Sequence, residues 1–92
     1  MKVLLLLAAL AVALAGCGTT MVGRERCASR LDAAWQELDL AKVAGFAGTV
    51  SYAKAVGLLT NAKTQQTLEN FARCAEDAER ASFYIGESRK GR

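Results

Sequence analysis

The sequence predicts an all-α protein, a small up-down-up three-helix bundle that follows a cleaved signal peptide. Three observations predict this fold. The 92-residue chain has no proline, three successive stretches carry apolar residues at spacings of three and four, and a glycine-containing turn separates the first two stretches. The alternative is a long antiparallel hairpin of two helices, in which the second and third stretches form one continuous helix.

The first predicted helix spans residues 25–44. Its apolar face consists of Cys27, Leu31, Ala34, Leu38 and Ala41. Trp35 widens this face and is expected to anchor the core. The helix is expected to end before Gly45 and Gly48, because both are weak helix formers and enclose a short turn. Residues 17–24 show no periodicity and are expected to form a short tether.

The second predicted helix spans residues 49–68. Either Thr49 or Ser51 can accept a hydrogen bond from the first-turn amides and so begin this helix. Its apolar positions are Tyr52, Ala55, Val56, Leu59 and Ala62, continuing toward Leu68. Gly57 costs about 1 kcal/mol relative to alanine inside a helix. It therefore indicates a close approach of two helices or a slight kink.

The third predicted helix spans residues 71–89. Its apolar positions are Phe71, Cys74, Ala78, Ala81 and Ile85. The basic residues Arg89, Lys90 and Arg92 suit a fraying C-terminal end, where cations complement the helix dipole. This tail is either a solubilising end or a contact for anionic lipid headgroups or anionic cell-wall polymer.

Cys27 and Cys74 predict a disulfide if the chain is exported. Such a bond would stabilise a small domain by about 4 kcal/mol. The alternatives are two buried thiols or a metal pair, but no carboxylate or histidine completes a metal site beside them. In a straight hairpin Cys74 would lie ~10 Å out of register with Cys27, beyond the ~7 Å that a disulfide allows. A reversal near Asn70 brings the two together and favours three helices.

The N-terminus has the pattern of a secretory leader. Lys2 supplies a positive charge, and an apolar run extends from Val3 to Ala15. A basic start, a short apolar run and small residues at its end are typical of a signal peptide. The run is too short to span a bilayer, which requires about 20 residues. We therefore expect residues 1–16 to be removed.

The run ends in the tetrad Leu14-Ala15-Gly16-Cys17, which resembles the lipobox of bacterial lipoproteins at all four positions. The resemblance covers the first 17 residues. It implies cleavage between Gly16 and Cys17, a covalent lipid on the Cys17 thiol and a membrane as binding partner. Gly18, which replaces the Asp that favours inner-membrane retention, favours the periplasmic face of the outer membrane in a host with two membranes. The rest of the chain is similar in style to small alanine-rich helical envelope lipoproteins, which have no assigned activity.

The composition argues against an enzyme. The chain has no histidine, the commonest general base near neutral pH, and no metal site or cofactor beyond the covalent lipid is expected. The net charge of +3 is too evenly mixed to indicate a nucleic-acid binder. The acidic group Glu76, Asp77 and Glu79 is expected to form a solvated face, with Glu76 paired to Arg80. Alternatively, this face binds a cation or a small envelope ligand.

Three aromatic residues are candidate contacts for a protein partner. Phe83 and Tyr84 adjoin each other beside the main apolar face of the third helix, and Phe46 lies in the first turn, remote from the tether. Aromatic residues are enriched at interfaces, although a broad third-helix face could bury both Phe83 and Tyr84. We therefore expect a membrane-anchored, non-enzymatic module with an envelope protein as partner. The alternative is an accessory lipoprotein that binds its ligand through the acidic face.

Overall fold

Three α-helices make up the structure, a computed structural model that describes residues 2–92 and, among side chains, those of residues 21–92. Helix α1 spans Lys2–Val43, α2 spans Val50–Thr67 and α3 spans Phe71–Ser88. Helix α3 packs against both others, while α1 and α2 share a smaller contact. The predicted all-α three-helix bundle is confirmed, and the two-helix hairpin is wrong because the chain reverses between α2 and α3.

Helix α1 begins before residue 25, and residues 21–24 of the segment expected to be a tether are helical. No proline interrupts it, and its described part packs onto the bundle. A Cβ built on Gly23 would lie 3.5 Å from the Cβ of Phe71. The guanidinium of Arg24 lies over the Phe71 ring, 5.3 Å from its centroid. The lipobox precedes residue 21 and so lies outside the residues whose side chains are described.

Helices α1 and α3 each end in a glycine-dependent reversal. Gly45 has a φ of 96°, and the next amide, that of Phe46, donates to the carbonyl of Ala41 at 3.0 Å. Gly91 has a φ of 80°, and the Arg92 amide that follows donates to the carbonyl of Glu87 at 3.3 Å. In the Schellman motif, the amide that follows a residue of positive φ donates to the carbonyl five residues earlier, as it does at both of these helix ends. The predicted end of α1 is thereby explained.

Helix α2 ends in the same way without a glycine. Glu69 has a φ of 60°, and the Asn70 amide donates to the carbonyl of Gln65 at 2.9 Å. Side chains other than glycine and asparagine rarely occupy this backbone region. The sequence therefore carries no obvious signal for the end of α2, and only the cysteine argument predicts the reversal.

At the other end of α2, Thr49 is the N-cap, and its hydroxyl accepts a hydrogen bond from the Tyr52 amide at 3.2 Å. Of the two predicted caps the structure uses Thr49, and Ser51 is buried inside the first turn. The amide of Ser51 donates instead to the Arg92 carbonyl at 3.1 Å. The chain terminus thus packs against the start of α2 and does not fray.

The core is made mainly of small side chains. Among residues 21–92 the large aliphatics of the core are Leu31, Leu38, Leu59 and Ile85, of which Leu59 and Ile85 are fully buried. The buried alanines are Ala34, Ala41, Ala55, Ala62, Ala75, Ala78 and Ala81. An alanine contributes one methyl group to the core, so apolar burial per residue is low. Small side chains allow the helices to lie close together. Because they bury little apolar area, a covalent cross-link between helices is important for stability.

Cys27 of α1 and Cys74 of α3 are joined by a disulfide whose Cα atoms lie 5.4 Å apart. Both residues are fully buried. One turn further along, Arg30 of α1 forms an ion pair with Glu79 of α3. The two contacts fix the parallel register of α1 against α3.

Trp35 and Gly57 are more exposed than the sequence predicts. Trp35 lies on the surface of α1, because α1 contacts the bundle through one narrow face, and position 35 is rotated by 100° from the buried Ala34. Gly57 is exposed, and a Cβ built there would meet nothing within 4 Å. The expected close approach at Gly57 is therefore wrong.

The bundle has two ends, called the proximal end and the distal end. The proximal end comprises residues 21–26 of α1, the turn at residues 68–70 and the start of α3. The distal end comprises the turn at residues 44–49 and the chain terminus at residues 89–92.

Replacing both Cys27 and Cys74 with serine should lower the free energy of unfolding by about 4 kcal/mol, because the open unfolded chain gains conformational entropy. Urea unfolding followed by circular dichroism measures the change. Reduction of the unmodified protein is the matched control and should produce the same loss. An unfolding midpoint unaffected by reductant would contradict the cross-link.

Candidate functional site

Phe83 is the most exposed aromatic side chain among the described residues, with 63% of its surface accessible. Tyr84 is half-buried and packs against the core. Their ring centroids are 5.3 Å apart at an interplanar angle of 77°, an edge-to-face contact. The Nζ of Lys54 on α2 lies 5.3 Å from the centroid of the Tyr84 ring. Tyr84 is thus fixed by α2 and supports an outward-facing Phe83.

The third predicted contact, Phe46, lies apart from the other two. It is half-buried in the turn between α1 and α2 and packs against the core. Its carbonyl accepts hydrogen bonds from the Thr49 amide at 3.2 Å and from the Thr49 hydroxyl at 2.9 Å. The geometry gives Phe46 a role in closing the turn and does not bring it together with Phe83.

The predicted acidic face is divided by the structure. Glu76 is exposed, and Glu79 is paired with Arg30 of α1. Asp77 is only 3% exposed, and its Oδ2 has no hydrogen-bond partner in the described part of the chain. The expectation of a common solvated face is wrong for Asp77, because α3 lies between two helices and buries a wider arc than its apolar residues define. An unpartnered buried carboxylate oxygen is uncommon and calls for an explanation.

The basic tail folds back onto its own helix. Glu87 accepts a hydrogen bond from the Nη1 of Arg92 at 3.0 Å and from the Nζ of Lys90 at 3.3 Å. These bonds lower the pKa of the Glu87 carboxyl below its ordinary value, with the Arg92 contact the largest cause. Two of the three tail cations therefore share the single carboxylate of Glu87, and Arg89 is the cation of the tail outside this cluster.

A cavity of about 470 Å³ opens at the proximal end. Its lining residues are Val22, Gly23, Arg26, Glu69, Asn70, Phe71 and Ala72. The cation of Arg24 and the carboxylate of Glu69 approach to 3.9 Å beside it and link α1 to the turn. Sequence reasoning missed this site because it assigned residues 17–24 to a tether. The adjacent apolar residues Met21 and Val22 are the sequence feature that could have indicated it.

Neither a metal centre nor a membrane span is found in the described part of the chain. No three histidine, cysteine, aspartate or glutamate side chains there are grouped so that they could hold a metal ion. No helix in that part of the chain is both long enough and apolar enough to cross a bilayer.

Comparison with known proteins identifies no relative. No protein-family model, no curated protein and no solved structure matches the chain.

Phe83→Ala should lower the free energy of unfolding by no more than about 1 kcal/mol, because the ring is mainly exposed and loses one edge-to-face contact. Ile85→Ala, two residues away and fully buried, is the matched control and should lose about 2–5 kcal/mol. Chemical denaturation of both variants gives the comparison. Equal losses would assign Phe83 to the core.

Asp77→Ala should raise the free energy of unfolding by about 1–2 kcal/mol, because it removes a buried carboxylate oxygen that has no partner. Glu76→Ala, on the adjacent exposed position, should change it by less than about 0.5 kcal/mol. The same unfolding measurement tests both. A destabilised Asp77→Ala variant would show that the carboxylate has a stabilising partner.

Proposed function

We propose that this chain is a lipid-anchored envelope protein whose three-helix bundle is a non-enzymatic structural or protein-interaction module. The observation that carries the proposal is the tetrad Leu14-Ala15-Gly16-Cys17 at the end of a leader-like apolar run. After cleavage the Cys17 thiol bears a diacylglyceryl group. Two or more acyl chains hold a protein firmly on a bilayer, whereas one binds marginally.

The disulfide supports export of the module. Disulfides persist in oxidising compartments such as the bacterial periplasm and are rare in the reducing cytosol. The buried Cys27–Cys74 pair therefore suits a domain that folds outside the cytoplasmic membrane. Gly18 further favours the outer membrane, with the bundle in the periplasm, where the host has two membranes.

Phe83 supports the interaction role. A mainly exposed phenylalanine, fixed by the half-buried Tyr84 beneath it, offers a rigid apolar anchor to a partner. A photoreactive phenylalanine analogue at position 83 tests this role in living cells. Position 50 is the matched control, because Val50 is similarly exposed at the distal end. Crosslinks to one envelope protein from position 83 alone would support an interaction site there.

The lipid anchor predicts a specific labelling pattern. The unmodified chain should incorporate labelled palmitate and lose its leader. Cys17→Ser should incorporate none and retain the additional mass of residues 1–16, because thiol acylation precedes cleavage in lipoprotein processing. Cys27→Ser is the control and should be labelled normally. Mass spectrometry of the purified proteins checks both points, and an unacylated residue 17 in the unmodified protein would refute the proposal.

A second candidate function is binding of a cation or small envelope ligand through the acidic part of α3. The unpartnered, buried Oδ2 of Asp77 favours it, because a ligand would supply the missing partner. Magnesium and calcium are suitable probes, since both prefer oxygen ligands. Under this function either ion raises the unfolding temperature of the unmodified protein and not that of Asp77→Asn. Equal responses of the two proteins reject it.

A further inference from the structure

We propose that the proximal end of the bundle lies against the surface of the membrane that anchors it. This inference depends on the proposed lipid anchor at Cys17. In this arrangement the apolar side chains of Met21, Val22 and Leu68 enter the interfacial region of the bilayer. The bundle is then oriented by a second contact and does not swing freely on its lipid.

The proximal end exposes several apolar side chains. Met21 is 63% exposed, Val22 59% and Leu68 68%. They come from two separate elements, the described start of α1 and the turn after α2, which the fold brings to one end. Between these elements opens the cavity lined in part by Val22 and Phe71. Several exposed apolar residues around one cavity indicate an interaction site rather than scattered surface positions.

The proximal end also lies close to the proposed anchor along the chain. Cys17 precedes Val22 by five residues in α1. Five residues span about 7.5 Å in a helix and about 17 Å when fully extended. The apolar end is therefore held near the headgroup layer in either conformation. Val50, at the other end of α2, is separated from Leu68 by about 27 Å along that helix.

The charge of the proximal end also suits a membrane surface. The proximal end carries one more cation than anion. Its charged residues are Arg24, Arg26 and Arg73 against Glu25 and Glu69. Arg24 is directed toward Glu69 and the Phe71 ring, which leaves Arg26 at the cavity. Arginine side chains bury their stems and keep the charge at the interface. Phospholipid headgroups suit this mixed apolar and basic surface.

The distal end is the competing surface, because its three cations, Arg89, Lys90 and Arg92, face a single carboxylate side chain, that of Glu87, whereas the three proximal cations face two. Lys90 and Arg92 are bound to Glu87 there, and the Lys54 Nζ lies over the Tyr84 ring. The distal end is also the part of the bundle farthest from the anchor. These contacts and this position favour the proximal end as the lipid-facing surface.

Depth-dependent fluorescence quenching tests the inference on the full mature lipoprotein. Trp35 is the single tryptophan of the chain, so the background variant is Trp35→Phe. Leu68→Trp in that background reports the proximal end, and Val50→Trp, with similar exposure, reports the distal end. Both proteins are reconstituted into vesicles of phosphatidylethanolamine and phosphatidylglycerol that contain phospholipid brominated near the headgroup.

Quenching of Leu68→Trp should exceed that of Val50→Trp several-fold, with a blue-shifted emission. Val22→Trp provides an independent measurement from α1 and should behave like Leu68→Trp. Equal quenching at both ends overturns the inference. A blue shift at position 68 that depends on protein concentration, without quenching, would show that a second copy covers this end and also overturns it.

Vesicle flotation separates this inference from the proposed function. Protein that floats with the vesicles but shows no quenching at position 68 retains its anchor and refutes the oriented contact alone. Acylated protein that does not float would refute both. Circular dichroism of each variant confirms that the helices are intact before quenching is compared.

Discussion

The disulfide between Cys27 and Cys74 is the constraint on which the bundle depends. The core around it consists largely of alanines, with Leu31, Leu38, Leu59 and Ile85 as its large buried aliphatics. Such a core buries little apolar area, and small domains bury a low fraction of their surface in any case. The cross-link offsets this deficit by restricting the unfolded chain. It also fixes α1 parallel to α3, so that Arg30 meets Glu79 and Gly23 lies against Phe71.

The same cross-link is what made the topology predictable. Apolar periodicity alone could not separate α2 from α3, because the residue that reverses the chain is Glu69 and not a glycine. The requirement that two cysteines approach within disulfide distance favoured a reversal near Asn70 over a straight hairpin. The end of α1 could be predicted from the local sequence, because Gly45 adopts a positive φ, which glycine tolerates without steric cost. The end of α1 and the start of α2 thus followed from local signals, whereas the separation of α2 from α3 followed from one long-range covalent constraint.

Burial around each helix was harder to predict, because it depends on where the helix lies in the bundle. Helix α1 contacts its neighbours through one narrow face, so Trp35 is left on the surface. Helix α3 lies between the other two and buries a wider arc, which includes Asp77 and Ser88 as well as its apolar residues. A periodicity argument assigns one apolar face to each helix and cannot distinguish a central helix from a peripheral one. The errors at Trp35 and Asp77 have this common origin.

The proposed contact between the proximal end and the membrane would also fix the position of Phe83. Residues 21–26 belong to the proximal end and are part of α1, which contacts α3 directly, so a membrane contact at this end orients the whole bundle. Phe83 lies 12 residues beyond Phe71 on α3, about 18 Å along the helix axis. With the proximal end at the bilayer surface, Phe83 is held outside the headgroup layer. A partner that contacts Phe83 must therefore extend into the aqueous compartment, and a fixed orientation of the bundle reduces the entropy lost when it binds.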